Sequence, residues 1–409
     1  MMRSGLVGLL MAVFAVAVGS LCHWLLYRWC MRRVPLLARH RRWLAAAMVT
    51  VIVLTPGGRW LVNAGLDDGW MWLEGAGQMW GMSLLVSVPA IYAWEAIVAR
   101  RSPPRAPDPD PAPPEAPAPP EAPAAPPEAP AAPSRREALV GGVFVGASFA
   151  PLVWGSARTR FDVEIVEVPV VLRGLPRVLD GFSIVQVSDI HIGAYLGDRE
   201  LRRGEDLIAP LKPDLVAMTG DLVHLRPSYL PLGLDWVRRL GERARFGAIS
   251  ILGNHEYYTG RPDVIDAFDR AGLPLLINAS RTIARGDGGG LVISGVDDVW
   301  GQSKGFGPDL RPTLEGVPPH APKILLCHQP QFHPYAAANG FGLQLSGHTH
   351  GGQIAPYGPV VARAMFGAYK GRYRIGDSTL YVNRGFGTSG PPSRVAVRPE
   401  ITRIVLVAG

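Results

Sequence analysis

Cysteine is scarce in this chain of 409 residues, with single copies at Cys22, Cys30 and Cys327. The first two lie in or beside an apolar run and the third lies inside a strand-like run, so the spacing gives no disulfide framework. Basic runs with interleaved aromatic residues are also lacking in the C-terminal part. The formal charge is +7, but residues 159–409 carry 27 Lys and Arg against 24 Asp and Glu. We therefore expect no nucleic-acid partner.

Clustered charges are missing from the long apolar runs of residues 1–100, which argues against a transport pathway through them. Residues 5–27 are apolar for long enough to cross a bilayer, and residues 43–62 and 79–99 are further candidates. The second run is interrupted by Pro56-Gly57-Gly58-Arg59, and the third carries Pro89 and Glu95. We predict a transmembrane helical region of about three spans in residues 1–100. A cleaved signal peptide for the first run, and ordinary buried helices for all three, remain as alternatives.

The distribution of charge predicts how these spans are oriented. Arginines crowd the first connection and follow the third span, whereas Asp67, Asp68 and Glu74 occupy the second connection. By the positive-inside rule the first connection and the region after residue 100 are cytoplasmic, in an inner (cytoplasmic) membrane. The arginines concerned are Arg28, Arg32, Arg33, Arg39, Arg41 and Arg42, and then Arg100, Arg101 and Arg105.

Residues 101–137 form a Pro/Ala/Glu-rich linker, which cannot bury apolar area and serves as a spacer. The next stretch, residues 138–158, follows Ser134-Arg135-Arg136 and is either a fourth span or a twin-arginine-like signal. If this stretch crosses the membrane, the remaining residues 159–409 lie outside the cytoplasm. If it only packs against the bilayer, they are cytoplasmic. We expect the outer, periplasmic side.

Residues 159–409 alternate short apolar strands with helical stretches. Helices are predicted at residues 200–210 and 232–241, between the first three strands. That alternation favours βαβ units and a parallel core, with a mixed or second sheet formed by the later strands. The predicted strands are residues 182–188, 215–219, 246–252, 291–296, 323–327, 343–346, 380–382 and 401–407.

Five short segments with metal-binding side chains each end or closely follow one of these strands. The carboxyl ends of strands are where open α/β sheets place their active sites. Together the segments supply two carboxylates, one amide oxygen and several imidazoles, enough to hold two transition-metal ions. Two such ions are typical of a phosphoester hydrolase. The segments are Asp189-Ile190-His191, Gly220-Asp221, Gly253-Asn254-His255-Glu256, Cys327-His328 and Gly347-His348-Thr349-His350.

Taken singly, most of these segments have a structural explanation. Gly220-Asp221 is often just a turn, Asn254-His255 can be a helix cap, and a lone His328 is commonly a hydrogen-bonded core residue. Two imidazoles one residue apart, as in His348 and His350, are the most specific signal. In extended chain Asp189 and His191 would point to the same side and reach one ion.

In this order the segments match the pattern D-x-H, G-D, G-N-H-[DE], H and G-H-x-H, and residues 160–409 resemble the calcineurin-like metallophosphoesterases. The resemblance implies an α/β fold, a four-layer αββα sandwich with two mixed sheets. It implies that Asp189, His191 and His350 hold one ion and that Asp221 bridges both. Asn254, His328 and His348 would hold the other ion, and His255 would polarise the phosphate and protonate the leaving oxygen. The ions would be two divalent metals such as Mn, Fe or Zn.

The segments Gly347–Gln353 and Asn383-Arg384-Gly385-Phe386-Gly387 look like those of the membrane-associated bacterial branch. Some of that branch are similar to hydrolases of the pyrophosphate bond in UDP-diacylglucosamine. Arg384 is a candidate substrate-binding residue that would clamp a phosphate, with a structural ion pair as the alternative.

These observations predict a membrane-anchored phosphodiesterase or pyrophosphatase, in which a hydroxide activated by two metals attacks a phosphoester. Its partners would be the membrane and a phosphoester, either lipid-linked or soluble. The alternative is a membrane protein with a phosphoesterase-like binding or sensor domain, which the complete ligand set argues against.

Overall fold

The computed structural model describes residues 2–64, 66–101, 135–284 and 290–409. The predicted linker, residues 101–137, lies almost wholly outside the described residues. Within them the chain forms two parts, an N-terminal group of long helices and a C-terminal α/β sandwich.

The described residues of the N-terminal part form five helices. Two helical stretches, residues 70–100 and 138–161, are long and apolar enough to cross a membrane. They correspond to the third and fourth predicted spans. The second predicted span is helical throughout, including Pro56-Gly57-Gly58. The first is also helical, but the side chains of residues 2–15 are outside the description. The helices are α1 (Met2–Arg33), α2 (Pro35–Arg39), α3 (Arg41–Asn63), α4 (Trp70–Arg101) and α5 (Arg135–Ala157).

The long helices pack on one another through a small apolar core and expose apolar side chains on the outside. Leu26 and Trp29 of α1 meet Leu84 and Val88 of α4, and Phe144 of α5 packs against the same cluster. Many apolar residues on the outer surface of these helices are exposed, which is costly in water and favourable in a bilayer. Examples are Trp43, Val49, Val53, Leu85, Val86, Ile97, Leu139, Val143 and Trp154.

The sandwich is built on a five-stranded and a six-stranded sheet. In the first sheet the order is β1-β11-β2-β3-β4, with β2, β3 and β4 mutually parallel and β11 antiparallel to β2. Its strands are β1 (Glu164–Leu172), β2 (Ser183–Val187), β3 (Leu215–Met218), β4 (Ala248–Ser250) and β11 (Glu400–Ala408).

The second sheet has the order β5-β6-β7-β8-β10-β9, with four parallel central strands and an antiparallel strand at each edge. Its strands are β5 (Ala279–Ala284), β6 (Gly290–Gly295), β7 (Lys323–Leu326), β8 (Leu343–Ser346), β9 (Gly371–Ile375) and β10 (Ser378–Val382).

Helices cover the outer faces of both sheets, so the central strands are buried on two sides. On β2, Ile184 faces the core between the sheets, while Val185 and Val187 face the outer helices. This explains why the central strands are nearly continuous apolar runs. The helices are α6 (Asp198–Ile208), α7 (Leu230–Glu242), α8 (Asn254–Thr259), α9 (Arg261–Ala271), α10 (Leu310–Thr313), α11 (His333–Ala338) and α12 (Tyr357–Phe366).

The predicted four-layer sandwich with two mixed sheets is confirmed. All eight predicted strands and both predicted helices are present, within a few residues at their ends. The prediction omitted three strands, β1, β5 and β9. Each of these lies at an edge of its sheet, where one face or one side is open and the apolar pattern is weaker.

The sandwich contacts the helical part at the connection between α3 and α4. Arg226 forms an ion pair with Asp68 at 3.1 Å and donates to the carbonyl of Leu66 at 2.8 Å. The hydroxyl of Ser393 donates to the carbonyl of Leu152 near the end of α5 at 2.7 Å. The sandwich therefore sits at the end of the bundle opposite the arginine-rich first connection.

Candidate metal centre

The five segments converge where the two sheets meet, at the carboxyl ends of five parallel strands. Asp189 follows β2, Asp221 follows β3 and Asn254 follows β4 in the first sheet. His328 follows β7 and His348 follows β8 in the second sheet. The parallel strands end at the same edge of their sheets, and residues more than 150 positions apart therefore become neighbours.

Asp189 and His191 converge for a different reason than the one predicted from extended chain. Both adopt left-handed backbone conformations, with φ of 53° and 52°, and Asp221, His348 and His350 have φ of 56°, 70° and 49°. A non-glycine residue in this region costs about 1–3 kcal/mol. Five strained residues in one place indicate that the surrounding fold holds these side chains in position for a function.

The first cluster consists of Asp189, His191 and His350, whose ligand atoms lie within 4.8 Å of one another. The Nε2 atoms of the two histidines are 3.0 Å apart, and Nε2 of His350 is 3.3 Å from Oδ1 of Asp189. Asp189 is held from behind by the hydroxyl of Ser188 at 2.6 Å and by the backbone N–H of His348 at 3.0 Å. The carboxylate therefore has a fixed orientation.

The second cluster consists of Asp221, His328 and His348 and meets the same distance limit. Nδ1 of His328 donates to the carbonyl of Thr219 at 2.7 Å, and its Nε2 lies 3.2 Å from Oδ2 of Asp221. A histidine whose Nδ1 proton is engaged in this way offers the lone pair of Nε2 to a metal. Asp221 also lies 3.6 Å from Nε2 of His191 in the first cluster, so it stands between the two groups.

Asn254 and His255 begin helix α8 beside this second cluster. The backbone N–H of His255 donates to Oδ1 of Asp221 at 2.8 Å, and its ring centroid is 4.4 Å from that of His191. The carboxylate of Glu256 accepts from the N–H groups of Asp221 at 3.0 Å and Gly253 at 2.6 Å. Glu256 thus ties the ends of β3 and β4 together without facing the clusters.

Burial keeps most of these imidazoles neutral, which is the form that binds metals. It lowers the pKa of His348 to about 3 and the pKa values of His191 and His350 well below their ordinary range. Asp221 and His328 behave differently. Burial raises the pKa of Asp221 and lowers that of His328, but their mutual attraction outweighs it. The pKa of His328 is therefore high and that of Asp221 is low. Without an ion, Nε2 of His328 therefore holds a proton beside Asp221, and a metal bound at Nε2 would replace that proton.

These residues fit divalent cations. Buried carboxylates and neutral imidazoles are typical ligands of Zn, Fe and Mn. Oδ1 of Asn254 is buried and has no hydrogen-bond partner among the described residues, as expected for an amide oxygen reserved for an ion. Glycine is required at position 347, because a Cβ there would collide with the side chains of Ser188 and Asp189.

Arg384 lies in the ion pair that was the alternative to phosphate binding. Its guanidinium contacts Glu164 at 2.8 Å and also the buried carboxylate of Glu400. Nε and one terminal nitrogen of the guanidinium make these contacts, and a phosphate clamp by Arg384 stays a prediction. The fully buried Arg394 lies nearer the centre, with a guanidinium nitrogen 3.3 Å from Nδ1 of His350.

The sequence interpretation missed two neighbouring residues. The ring of His224 stacks 4.9 Å from that of His255, and its ligand atoms lie within 4.8 Å of those of His191 and His255. Asp298 follows β6 and is buried, and burial raises its pKa to about 6. Asp298 follows a strand end, the signal used for the other sites, whereas His224 is three residues past Asp221 in an irregular segment.

Comparison with known proteins assigns this fold and these residues to a class of metal-dependent phosphoester hydrolases. Residues 182–352 match the family model of the calcineurin-like phosphoesterases, a range that includes every residue of both clusters. An uncharacterized metallophosphoesterase of Bacillus subtilis is 33% identical over 288 residues, which cover 67% of this chain and 97% of that protein. The chain therefore belongs to the calcineurin-like metallophosphoesterase family.

Some relatives of the chain are named as transmembrane proteins. A transmembrane protein with metallophosphoesterase domain from Danio rerio is 33% identical over 265 residues, 62% of this chain. The chain spans 60% of the length of that relative. A solved dimetal phosphatase from Danio rerio covers 56% of this chain and 93% of its own at 11% identity. Its TM-score is 0.36.

Replacing Gly347 by alanine should reduce metal binding, because the new methyl group would displace Asp189 from the first cluster. We expect Gly347→Ala to retain less than about half of the divalent metal bound by the parent chain, measured by elemental analysis after dialysis. Gly197→Ala is the matched control, since nothing lies within 4 Å of a Cβ at that position. Equal metal content in both variants would contradict the proposed tight fit at Gly347.

Proposed function

We propose that this protein is a membrane-anchored hydrolase of phosphodiester or pyrophosphate bonds that uses two divalent ions. The convergence of two Asp/His clusters around Asp221 is the observation that carries this proposal. Asp189, His191 and His350 would hold one ion, and Asn254, His328 and His348 the other. Asp221, which lies between the clusters, would bridge them.

When bound, such ions lower the pKa of a coordinated water and offset charge on the phosphate oxygens. The chain's own residues would position the phosphoester and manage the protons. Water adds its oxygen to phosphorus, the bond to the leaving oxygen breaks, and that oxygen takes up a proton. His255 is the proposed proton donor, since its ring borders the first cluster and its backbone is fixed on Asp221. No side-chain nucleophile is required, and Cys327 is buried in an apolar cluster.

We further propose that the catalytic sandwich lies outside the cytoplasm, in a protein with several spans of the inner membrane. Its contacts with Asp68 and Leu66 place it beside the connection between α3 and α4. The arginine-rich first connection is at the other end of the bundle, and the positive-inside rule assigns that end to the cytoplasm. Helix α5 packs with α1 and α4, which supports a fourth span at residues 138–158 rather than a removable signal.

The alternative, a binding or sensor module, would need the site to be unable to turn over substrate. Both clusters are complete, and His255 is in place beside them. A site of this composition supports hydrolysis better than binding alone, because buried strained ligands are costly to maintain.

Asp221→Asn should lower hydrolysis of a chromogenic phosphodiester about a thousandfold or more, because a neutral amide cannot bridge two cations. The assay would use the full chain with Mn and bis(p-nitrophenyl) phosphate, with circular dichroism to confirm folding. Asp235→Asn is the control, since that carboxylate is half exposed on α7. Retention of most activity in Asp221→Asn would refute the bridging role.

His255→Asn should slow reactions in proportion to the basicity of the leaving oxygen. Phenyl ethyl phosphate releases a basic phenolate, and its hydrolysis rate should fall about 100-fold or more. The leaving group of p-nitrophenyl ethyl phosphate needs little proton donation, so the hydrolysis rate of that ester should fall much less. His320→Asn, on the exposed surface, is the control and should change neither rate. An equal loss with both esters would assign His255 to a role other than proton donation.

The orientation can be tested with a membrane-impermeant maleimide on spheroplasts that express single-site variants. Ser303→Cys, on the exposed surface of the sandwich, should be labelled in intact spheroplasts. His40→Cys, in the arginine-rich first connection, should be labelled only after permeabilisation. The native cysteines are all buried and provide the background control. The reverse pattern of labelling would place the sandwich in the cytoplasm.

A further inference from the structure

An apolar groove opens directly beside the second cluster and runs between the sandwich and helix α4. It has a volume of about 340 Å³ and is lined by Met82 of α4 and by Val361, Met365 and Phe366 of α12. His348 and His350 also line it. The groove therefore extends from the candidate metal centre to helix α4, which is one of the proposed membrane spans.

Helix α12 is unusual in being apolar and exposed at once. Of its ten residues, all of which are described, only Ala362 is buried. Val360, Val361 and Met365 are 69%, 50% and 53% exposed. One exposed apolar residue needs no explanation, but a contiguous set beside an active site marks a surface that contacts something apolar.

The charge around this helix identifies the kind of surface it suits. Residues 353–376 contain no Asp or Glu and four basic residues. Short apolar helices flanked by basic residues typically lie in the interface of a bilayer that contains anionic lipids. The basic residues are Arg363, Lys370, Arg372 and Arg374, all of which are exposed.

The position of the groove on α4 agrees with an interfacial location. Helix α4 has 32 residues and is about 48 Å long, more than the roughly 30 Å of a hydrocarbon core. Its first turns contact the sandwich, since a Cβ at Gly75 would meet Pro392. The apolar run starts near Met79, and the exposed Leu85 and Val86 follow one turn beyond Met82. The mouth of the groove thus lies where α4 would enter the bilayer.

Helix α12 also contacts the metal centre itself. The ring of Phe366 packs edge-on against the ring of His348, with centroids 4.7 Å apart and an interplanar angle of 85°. The lining of the groove therefore combines imidazoles of the two candidate metal clusters with an exposed apolar helix. A molecule with a phosphate at one end and a hydrocarbon chain at the other matches both features.

We propose that the groove between α12 and α4 receives the hydrocarbon part of an amphiphilic phosphoester that enters from the bilayer. The phosphate would reach His348 and His350 while the chain lies along Met82, Val361 and Met365. This inference rests on the proposed hydrolytic function and adds the class of substrate: a lipid-linked phosphoester rather than a freely soluble one.

Two phosphodiesters with the same leaving group test this proposal. p-Nitrophenyl dodecyl phosphate and p-nitrophenyl ethyl phosphate release the same chromophore and differ only in the length of the alkyl chain. The full chain, reconstituted into phosphatidylcholine bilayers with Mn, should show a kcat/KM at least about tenfold higher for the dodecyl ester. Partitioning of that ester into the bilayer also raises its rate, so groove variants provide the decisive comparison.

Val361→Asp should lower the ratio of the two kcat/KM values about tenfold, because a carboxylate in the groove opposes an alkyl chain. Met365→Glu should act in the same direction, which guards against a folding defect in one variant. Val171→Asp is the matched control: Val171 is 59% exposed on β1, at the end of the sheet away from the metal centre. In Val171→Asp the ratio of the two kcat/KM values should equal that of the parent chain.

The possible results separate the two levels of the proposal. If neither ester is hydrolysed by the parent chain, the hydrolytic function itself is wrong. If both esters are hydrolysed but the ratio is the same in Val361→Asp, Met365→Glu and Val171→Asp, the hydrolase stands and the lipid groove is refuted. If the ratio of the two kcat/KM values falls in Val361→Asp and Met365→Glu but not in Val171→Asp, the result supports binding of the alkyl chain in the groove.

Discussion

The central constraint in this structure is the burial of two aspartates at the ends of two apolar strands. Asp189 is fully buried and Asp221 is 2% exposed, and both are surrounded by imidazoles. An isolated carboxylate in such a place is too costly to remain charged, so it needs cations and hydrogen-bond donors around it. The backbone N–H groups of His348 and His255 supply part of this compensation. Divalent ions would supply the rest.

The surrounding fold holds these carboxylates in place, and the backbone at both aspartates is strained as a result. Asp189 and Asp221 both have left-handed backbone conformations directly after their strands, and their carboxylates lie beside His350 and His328. The carboxylate of Glu256 accepts hydrogen bonds from the N–H groups of Asp221 and Gly253, and it thereby links the ends of β3 and β4. The large apolar core between the sheets offsets the free energy of this strain, because it fixes the strand ends to which the site is attached.

Much of this site was predictable because strand ends and ligand types are both visible in sequence. The runs before Asp189, Asp221 and His328 are apolar and β-branched, and parallel strands bring their ends together. The left-handed backbone was not predictable, since φ depends on the tight turn that tertiary packing imposes on Asp189. An ion pair of Arg384 was one of the two alternatives, but its partner Glu164, 220 residues away in the chain, could not be predicted. His224 is positioned by an irregular loop, for which no periodicity exists.

We propose that the two clusters hold two ions that share Asp221. The most direct measurement is the anomalous scattering of crystals of the full chain grown with Mn, recorded on both sides of the metal absorption edge. We expect two peaks about 3.5–4 Å apart, one beside Asp189, His191 and His350 and the other beside Asn254, His328 and His348, with Asp221 between them. A single peak, or none at these residues, would contradict this proposal.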